Sequence, residues 1–199
     1  MTGKKRMDTD QAVRAAMKAD KAAVDAVTPP DPDHPAAKAL FAWGKMGDQP
    51  PLRILCGAML ALGLARRDAR MASAAARMFV SHSIATVAKD ILKNRIDRKR
   101  PHEAEGRVAP LIRAGRSTAK AKTSFPSGHS AGAIAVARAF AQDYPEHGLA
   151  ATGAAASVAL AQIPRCNHYP TDIAAGLAVG AVSAGLVNAL WNRAEERLV

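Results

Sequence analysis

The chain ends in a long apolar run that contains no charged side chain from Ile173 to Trp191. At a rise of about 1.5 Å per residue, a helix of this length approaches the thickness of a bilayer core. Gly176, Gly180, Ala184 and Gly185 within the run would let neighbouring helices approach closely. The run therefore predicts a helix that either spans a membrane or is buried in a helical bundle.

The other apolar stretches are also long, rich in alanine, leucine and methionine, and without the alternation of a half-buried strand. They predict an all-α fold, in which a six-helix bundle follows an N-terminal helical tail. Prolines and a basic cluster separate the helices: Pro50-Pro51, Arg66 to Arg70, Pro145 and Pro164. The six predicted helices are 35–47, 52–65, 71–92, 129–143, 148–163 and 171–192.

The bundle is predicted to be a polytopic membrane protein, although Arg77, Lys89 and Arg138 interrupt its helices. Such charges are costly in lipid unless they face the bundle interior or reach the interface. The uncharged last helix and the apolar run 149–163 nevertheless favour multi-pass insertion in the cell membrane. Basic loops do not decide which side the site faces, because the most basic loop also carries candidate phosphate-binding residues.

Residues 1–33 predict a tail and a linker, and residues 34–199 predict one helical domain. The tail is rich in alanine, lysine and aspartate and ends at the helix-breaking run 29–32. A chain of 199 residues can bury one core but hardly two. The charged N-terminus lacks the apolar segment of a cleaved secretory signal, so we expect membrane insertion through internal helices.

The charge balance predicts an anionic partner. Lys and Arg number 28 against 17 Asp and Glu, a formal net charge of +11, which suits nucleic acid, acidic lipid or a phosphorylated substrate. Aromatic residues make up only 4% of the chain, too few for the stacking platforms of single-stranded nucleic-acid binders, so no nucleic acid is expected. Cys56 and Cys166 form no C-x-x-C pair, which predicts free thiols and neither a disulfide framework nor a cysteine zinc site. No cofactor is expected. The oligomeric state is left open.

A first basic cluster precedes Pro101. Lys93 and Arg100 lie seven positions apart, close to two helical turns, so a helix would project both from one side. An arginine that grips two oxygens and a lysine that acts as a point charge together suit a doubly charged phosphate. Taken alone, the cluster could equally be a solvated basic run.

A second cluster leads into the predicted helix 129–143. Gly128 allows a close turn of the backbone, and amides at a helix start favour an anion, so Ser127 and Gly128 suggest a phosphate cradle. His129 beside it could donate a proton to a leaving alkoxide as a general acid. The alternative is an ordinary helix start with Ser127 as its N-cap.

A third cluster precedes the last helix. His168 and Asp172 lie four positions apart, a spacing that can bring the carboxylate to the imidazole. A carboxylate that fixes the tautomer of a histidine leaves its other nitrogen available to attack an electrophile. The alternative is a loop histidine followed by an acidic residue of the first helical turn. The six-helix reading puts all three clusters at the same end of the bundle.

These residues resemble the type 2 phosphatidic-acid phosphatase superfamily, which includes lipid phosphatases, acid phosphatases and vanadium haloperoxidases. Its pattern is KxxxxxxRP, then PSGH, then SRxxxxxHxxxD. The runs 93–101 and 126–129 match the first two motifs completely, and 168–172 matches the end of the third. Three ordered motifs over about 80 residues are a specific signal.

The third motif departs from the pattern at its start. Ala161 and Gln162 stand where the family has serine and arginine, and Arg165 lies three positions before His168 instead of six. Either a shortened turn lets Arg165 reach the phosphate, or the site has lost one cation.

The resemblance implies a metal-independent phosphatase that hydrolyses a lipid phosphate or diphosphate through a phosphohistidine. It implies that His168 attacks phosphorus with the help of Asp172, and that His129 protonates the leaving oxygen. The implied phosphate-binding residues are Lys93, Arg100, Ser127, Gly128 and Arg165.

Three other functions stay open. A soluble acid phosphatase or a vanadate-dependent haloperoxidase would belong to the same superfamily, and the second is less expected in so short a chain. A non-enzymatic scaffold could instead bind acidic lipids through the basic segment 93–122.

Overall fold

The computed structural model describes residues 2–104 and 108–197 of the chain, and these residues are mostly helical. The all-α prediction is therefore confirmed. A short antiparallel pair lies between the fourth and fifth helices, with β1 (Ile96–Asp97) against β2 (Arg113–Ala114). The helices are α1 (Thr2–Val27), α2 (Pro35–Lys45), α3 (Gln49–Arg66), α4 (Ala69–Lys93), α5 (Gly128–Asp143), α6 (Gly148–Leu160) and α7 (Pro170–Glu196).

The helix count in the described residues is seven, so the prediction of six is corrected. The seventh helix is α1, the predicted N-terminal helical tail, which packs against the loop before α7. Met17, Asp20 and Val24 share one face of α1 and are buried, with Met17 and Val24 packed against Tyr169. Burial of this stripe stabilises the helix, whose other side chains between residues 10 and 27 are mostly exposed. The domain boundary near residue 33 stays a prediction.

Only one described helix, α7, is long and apolar enough to cross a membrane by length and composition. The predicted polytopic arrangement is thus narrowed to one candidate span. In α4, the buried Arg77 forms ion pairs with Asp143 at 3.1 Å and with Glu195 at 3.4 Å. The helix α4 contains charged residues, and α6 is only 13 residues long. Neither therefore has both the length and the composition of a membrane-spanning helix.

The centre of the bundle is α5, which packs against α4, α6 and α7. It meets α7 backbone to backbone at two glycines. A Cβ atom at Gly176 would lie 2.4 Å from the Ser127 carbonyl oxygen, and one at Gly180 would lie 2.2 Å from that of Ala131. The close approach expected from the small residues of α7 is therefore found at these positions, whereas Gly185 faces open space.

Helix ends mostly follow local signals. Asp68 caps α4 by accepting a hydrogen bond from the N–H of Met71 at 2.9 Å. The break predicted at Pro50-Pro51 is found a few residues earlier, at 46–48, and both prolines lie in the first turn of α3. Backbone N–H groups have no intrahelical acceptor in a first turn, so prolines fit there without loss of a hydrogen bond.

In the connection between α4 and α5, backbone hydrogen bonds join residues 98–100 to residues 121–124, which directly precede the start of α5. The N–H of Arg98 donates to the Lys122 carbonyl at 2.8 Å, and that of Arg100 donates to the Ala121 carbonyl at 3.0 Å. The N–H of Ser124 in turn donates to the Arg98 carbonyl at 3.0 Å. Residues 105–107 of the basic segment 93–122 lie outside the described residues.

Candidate active site

A polar cavity of about 160 Å³ lies at one end of the bundle. It forms where the end of α4, the start of α5, the loop before α7 and the turn between α2 and α3 come together. The three sequence clusters thus meet at one end, as their order among the helices predicts. The residues that line the cavity are Gly47, Asp48, Gln49, Lys89, Lys93, Arg100, Gly128, His129 and His168.

The two histidines face each other across this cavity. The ring centroids of His129 and His168 lie 5.8 Å apart, with the ring planes at 66°. His168 is buried, with 1% of its surface exposed, whereas the His129 side chain is 17% exposed. Both rings line the same cavity, so a group bound in it can contact both imidazoles.

Asp172 lies behind His168 in the first turn of α7. Its Oδ2 atom lies 3.8 Å from Nδ1 of His168, beyond the length of a direct hydrogen bond. Nδ1 of His168 has no hydrogen-bond partner among the residues that the structure describes. The Asp172 carboxylate is itself held in place, because Oδ2 accepts from Ser124 Oγ at 2.5 Å and from the Tyr169 N–H at 2.9 Å. With Nδ1 on the side of Asp172, the other ring nitrogen of His168 is the one available to the cavity.

The His168 imidazole is held neutral at physiological pH. Burial lowers its pKa from 6.5 to about 4, because a desolvated site disfavours the charged ring. We expect the ring of His168 to stay neutral on acidification from pH 7 and to take up a proton only near pH 4. In the unfolded chain the same histidine protonates near 6.5, so its burial lowers the stability of the fold as pH falls from about 6.5 to about 4.

This expectation is measured by NMR titration of histidine-labelled protein in detergent, with His168→Gln used to assign the resonance. Titration of the assigned resonance near pH 6.5 would contradict the buried, neutral state.

His129 is oriented by a carboxylate from another part of the fold. It lies in the first turn of α5, and its Nε2 atom lies 2.7 Å from Asp48 Oδ1. Asp48 is the N-cap residue of α3, and its side chain is 45% exposed. A carboxylate at this distance favours a proton on Nε2.

Three cations line the cavity: Lys89, Lys93 and Arg100. Lys89 and Lys93 are four residues apart on α4 and therefore project from the same side. The Nζ atom of Lys93 donates to the Thr123 carbonyl at 2.6 Å, which ties α4 to the segment before α5. Burial lowers the pKa of the Arg100 guanidinium, while the nearby Asp172 opposes this shift. The cavity is therefore strongly cationic and suits a phosphate.

Ser127 and Gly128 form the start of α5. Ser127 is fully buried, and its Oγ atom accepts from the N–H of Ser130 at 3.3 Å as the helix cap. Gly128 lines the cavity, and a Cβ there would lie 3.5 Å from Cε of Lys89. Of the two, Gly128 borders the cavity, while the hydroxyl of Ser127 serves the helix cap.

Arg165 lies beside the cavity wall. Its Nη1 atom donates to Oε1 of Gln162 at 3.1 Å. Gln162 is fully buried and anchored, since its Nε2 donates to the Gly44 carbonyl at 2.7 Å. Burial lowers the pKa of Arg165, and Asp48 opposes this shift. The residue in the position of the family arginine thus holds Arg165 next to the pair formed by Asp48 and His129.

The structure adds four residues that the sequence motifs do not name. Lys89 and Asp48 line the cavity, while Ser124 and Arg98 hold Asp172 from behind. Lys89 could have been found from its four-residue spacing to Lys93. The other three come from loops far from the motif they serve, and no local pattern marks them.

Comparison with known proteins places the chain in a family and a fold. Residues 74–196, more than half of the chain, match the family model described as the PAP2 superfamily. A comparison with curated proteins gave no match.

Two solved structures share the architecture. Aquifex aeolicus LpxE aligns with a TM-score of 0.59 and 19% identity, over 77% of this chain and 86% of that one. The first transmembrane PAP2 type phosphatidylglycerolphosphate phosphatase from Bacillus subtilis aligns with a TM-score of 0.58 and 21% identity, over 90% of this chain and 87% of that one. At these identities the likeness concerns the fold.

Proposed function

The chain belongs to the PAP2 superfamily, and we propose that it is a membrane-embedded, metal-independent phosphatase that hydrolyses a lipid phosphate or diphosphate. The observation that carries the proposal is the pair His129 and His168, 5.8 Å apart across a cavity lined by cations. The two solved structures of the same fold include a protein described as a phosphatase, which supports the reaction class.

His168 is the proposed nucleophile. The nitrogen that faces away from Asp172 forms a bond to phosphorus while the bond to the leaving oxygen breaks, which gives a phosphohistidine. Asp172 stabilises the positive charge that develops on the imidazole. The distance of 3.8 Å between its carboxylate and the ring can shorten to a hydrogen bond as the substrate binds. Water then attacks phosphorus, and the phosphorus–nitrogen bond breaks as the new phosphorus–oxygen bond forms, which releases phosphate and restores His168.

His129 is the proposed general acid and base. It gives a proton to the leaving oxygen in the first step and accepts one from water in the second. Asp48 supports both steps because it accepts a hydrogen bond from protonated Nε2. The cleft between the rings is where the phosphoryl group moves from one oxygen to His168.

The cations stabilise the oxygens of the phosphoryl group. Charge spreads over these oxygens in the transition state, and donors already in place there lower the barrier. Lys93 and Arg100 are assigned this role from the cavity wall, with the Gly128 amide at the helix start. We assign Ser127 and Arg165 to the same role of stabilising the phosphoryl oxygens. Ser127 contributes indirectly, because its hydroxyl caps the helix start that carries the Gly128 amide.

A long apolar groove of about 400 Å³ supports a lipid substrate. The turn between α2 and α3 separates it from the polar cavity, since Gly47 and Asp48 border the cavity while Met46 and Leu52 border the groove. A Cβ at Gly47 would lie 3.1 Å from Cβ of His129 and 2.8 Å from Cγ1 of Val158 in the groove wall. The space beside Gly47 is thus too tight for even one methyl group, so we place the hydrocarbon chain of a bound lipid phosphate around this turn, with the groove as its binding surface.

Exposed apolar side chains support membrane embedding. Large hydrophobic residues are exposed at many positions along α3, α4 and α7. With α7 as the candidate span, they favour multi-pass insertion in the cell membrane. They include Ile54, Leu55, Leu62, Phe79, Val87, Ile91, Val182, Leu186 and Leu190.

Phosphate release from a series of alkyl phosphates of increasing length, in detergent, tests this function. We expect kcat/KM to rise with chain length, because each buried methylene contributes about 0.8 kcal/mol. Ala154 is exposed at the edge of the groove, and Ala154→Phe should fill part of it. Exclusion of roughly two methylenes should lower kcat/KM for the longest substrate about tenfold.

The matched control is Ala150→Phe, which adds the same ring to an exposed position one turn earlier on α6, outside the groove. It should leave the dependence on chain length unchanged, and Ala154→Phe should leave the shortest substrate unaffected. Equal rates across the wild-type series would favour the soluble acid-phosphatase alternative. Absence of phosphate release from every substrate would contradict the proposed function itself.

A further inference from the structure

Asp20 on the N-terminal helix is a buried carboxylate, 3% exposed, that contacts both the segment after α4 and the start of α7. Its Oδ2 atom forms an ion pair with Nη2 of Arg98 at 2.7 Å. Its Oδ1 atom accepts from the N–H of Thr171 at 3.1 Å, in the first turn of α7. The Thr171 hydroxyl also donates to Asp20. Asp20 thus fixes both a cation of the basic segment and the start of the helix that carries Asp172.

Arg98 joins Asp20 to Asp172. Its Nη1 atom lies 2.5 Å from Asp172 Oδ1 and also donates to Thr171 Oγ1 at 2.7 Å. Nε donates to the Pro110 carbonyl at 3.1 Å, and Nη2 contacts Met17 Sδ as well as Asp20. All five N–H donors of this fully buried guanidinium therefore have a partner. A group held at every donor can orient a carboxylate closely.

We propose that Asp20 is a positioning residue of the reaction: it fixes Arg98, Arg98 orients Asp172, and Asp172 supports the nucleophile His168. This inference rests on the proposed function. The family match begins at residue 74, so it includes Arg98, Asp172 and His168 but not Asp20. The N-terminal helix would thus complete a site whose other parts lie in the bundle.

The charge on Asp20 matters as much as its hydrogen bonds. A single buried arginine lies between two buried carboxylates, so each carboxylate limits how far the guanidinium neutralises the other. If Asp20 lost its charge, Arg98 would pair with Asp172 alone. Asp172 would then stabilise a positive charge on His168 less well, both when the ring is protonated and when it carries a phosphoryl group.

Other charged groups also face His168 and set the background for this effect. They come from each element packed around it: Lys93 at the end of α4, Arg100 in the following loop, His129 on α5 and Asp172 on α7. Asp20 contacts Arg98 and Thr171, so its replacement acts on His168 through Arg98 and Asp172.

Asp20→Asn in the full chain tests the inference, because asparagine can still accept from the Thr171 N–H but carries no charge. We expect kcat to fall roughly tenfold with KM within about twofold, as outer partners of functional side chains commonly produce. We also expect the acid limb of kcat/KM and the NMR titration midpoint of His168 to move to lower pH. Asp20→Glu retains the charge and should leave the acid limb of kcat/KM and the His168 midpoint unchanged.

Val24→Ala is the matched control for loss of packing. Val24 is 2% exposed and belongs to the same contact of α1 with Tyr169, but it has no part in the ion pairs. It should lower stability and leave both the His168 midpoint and the acid limb in place. The inference is overturned if Asp20→Asn leaves the His168 midpoint where Val24→Ala leaves it. If Asp20→Asn shifts the midpoint but the wild-type protein releases no phosphate, the coupling of Asp20 to His168 stands. The proposed function is then rejected.

Discussion

Replacing His168 with glutamine should lower phosphate release from a lipid phosphate by about 10⁴-fold or more, because the glutamine amide has no nucleophilic nitrogen that can accept the phosphoryl group. Glutamine is similar in size to histidine and polar, so the buried position should still be filled. Initial rates in detergent, at saturating substrate, measure the effect. KM should change far less than kcat, since Lys93, Arg100 and the helix start remain to hold the substrate.

The covalent intermediate gives a second measure of the same prediction. Rapid acid-free quenching with ³²P-labelled substrate should label the wild-type chain with an acid-labile phosphoryl group, and His168→Gln should carry none. His147→Gln is the matched control, because His147 is exposed and lies outside the cavity. Labelling or turnover that persists in His168→Gln would rule out this nucleophile. Salt-sensitive binding to acidic vesicles, unchanged by His168→Gln and without turnover, would favour the scaffold alternative.

Replacing His129 with alanine should lower kcat about 10³-fold for an alkyl phosphate, which needs a proton on its leaving oxygen. With an aryl phosphate such as 4-nitrophenyl phosphate, the leaving group is a stable 4-nitrophenolate anion that needs little protonation. The same variant should therefore lose far less activity in the labelling step with the aryl substrate. This difference between two leaving groups distinguishes a general acid from a residue that only shapes the cavity.

Asp48→Asn is the companion variant, because it removes the charge that favours a proton on Nε2 of His129 while it preserves the α3 cap position. It should show the same dependence on the leaving group with a smaller loss. An equal loss for alkyl and aryl phosphates in His129→Ala would contradict the assigned role. In that case His129 would contribute to binding or structure.

The sequence predicts the elements of this fold well where local chemistry decides them. The predicted helix 129–143 agrees with α5 to one residue, because a serine cap and Gly128 mark its start and Tyr144-Pro145 its end. The predicted helix 148–163 ends earlier, at Leu160, where the chain enters the turn that carries Gln162 and Arg165. The docking of α1 was not predictable, since it depends on Tyr169 and Arg98, which are far away in sequence.

The residues of the candidate site likewise fall into those that a local motif predicts and those that only the tertiary structure brings there. His129, His168, Lys93 and Arg100 belong to short motifs, and the structure brings all four to one cavity. Asp48 and Arg98 reach their partners only through tertiary contacts, and in the sequence they resemble a helix cap and one cation of a solvated run. Their roles, like those of the motif residues, stay predictions for the experiments above.

The contact of α5 with α7 through Gly176 and Gly180 also bears on how the protein would respond to different bilayers. Thicker or thinner lipid commonly changes the tilt of a helix. Two helices that touch at their main chains have little room to slide or separate, so they would tilt as one body. The gap between the imidazoles would then be the same in any lipid, and bilayer thickness would act on how a substrate enters the groove and leave the chemical step unaltered.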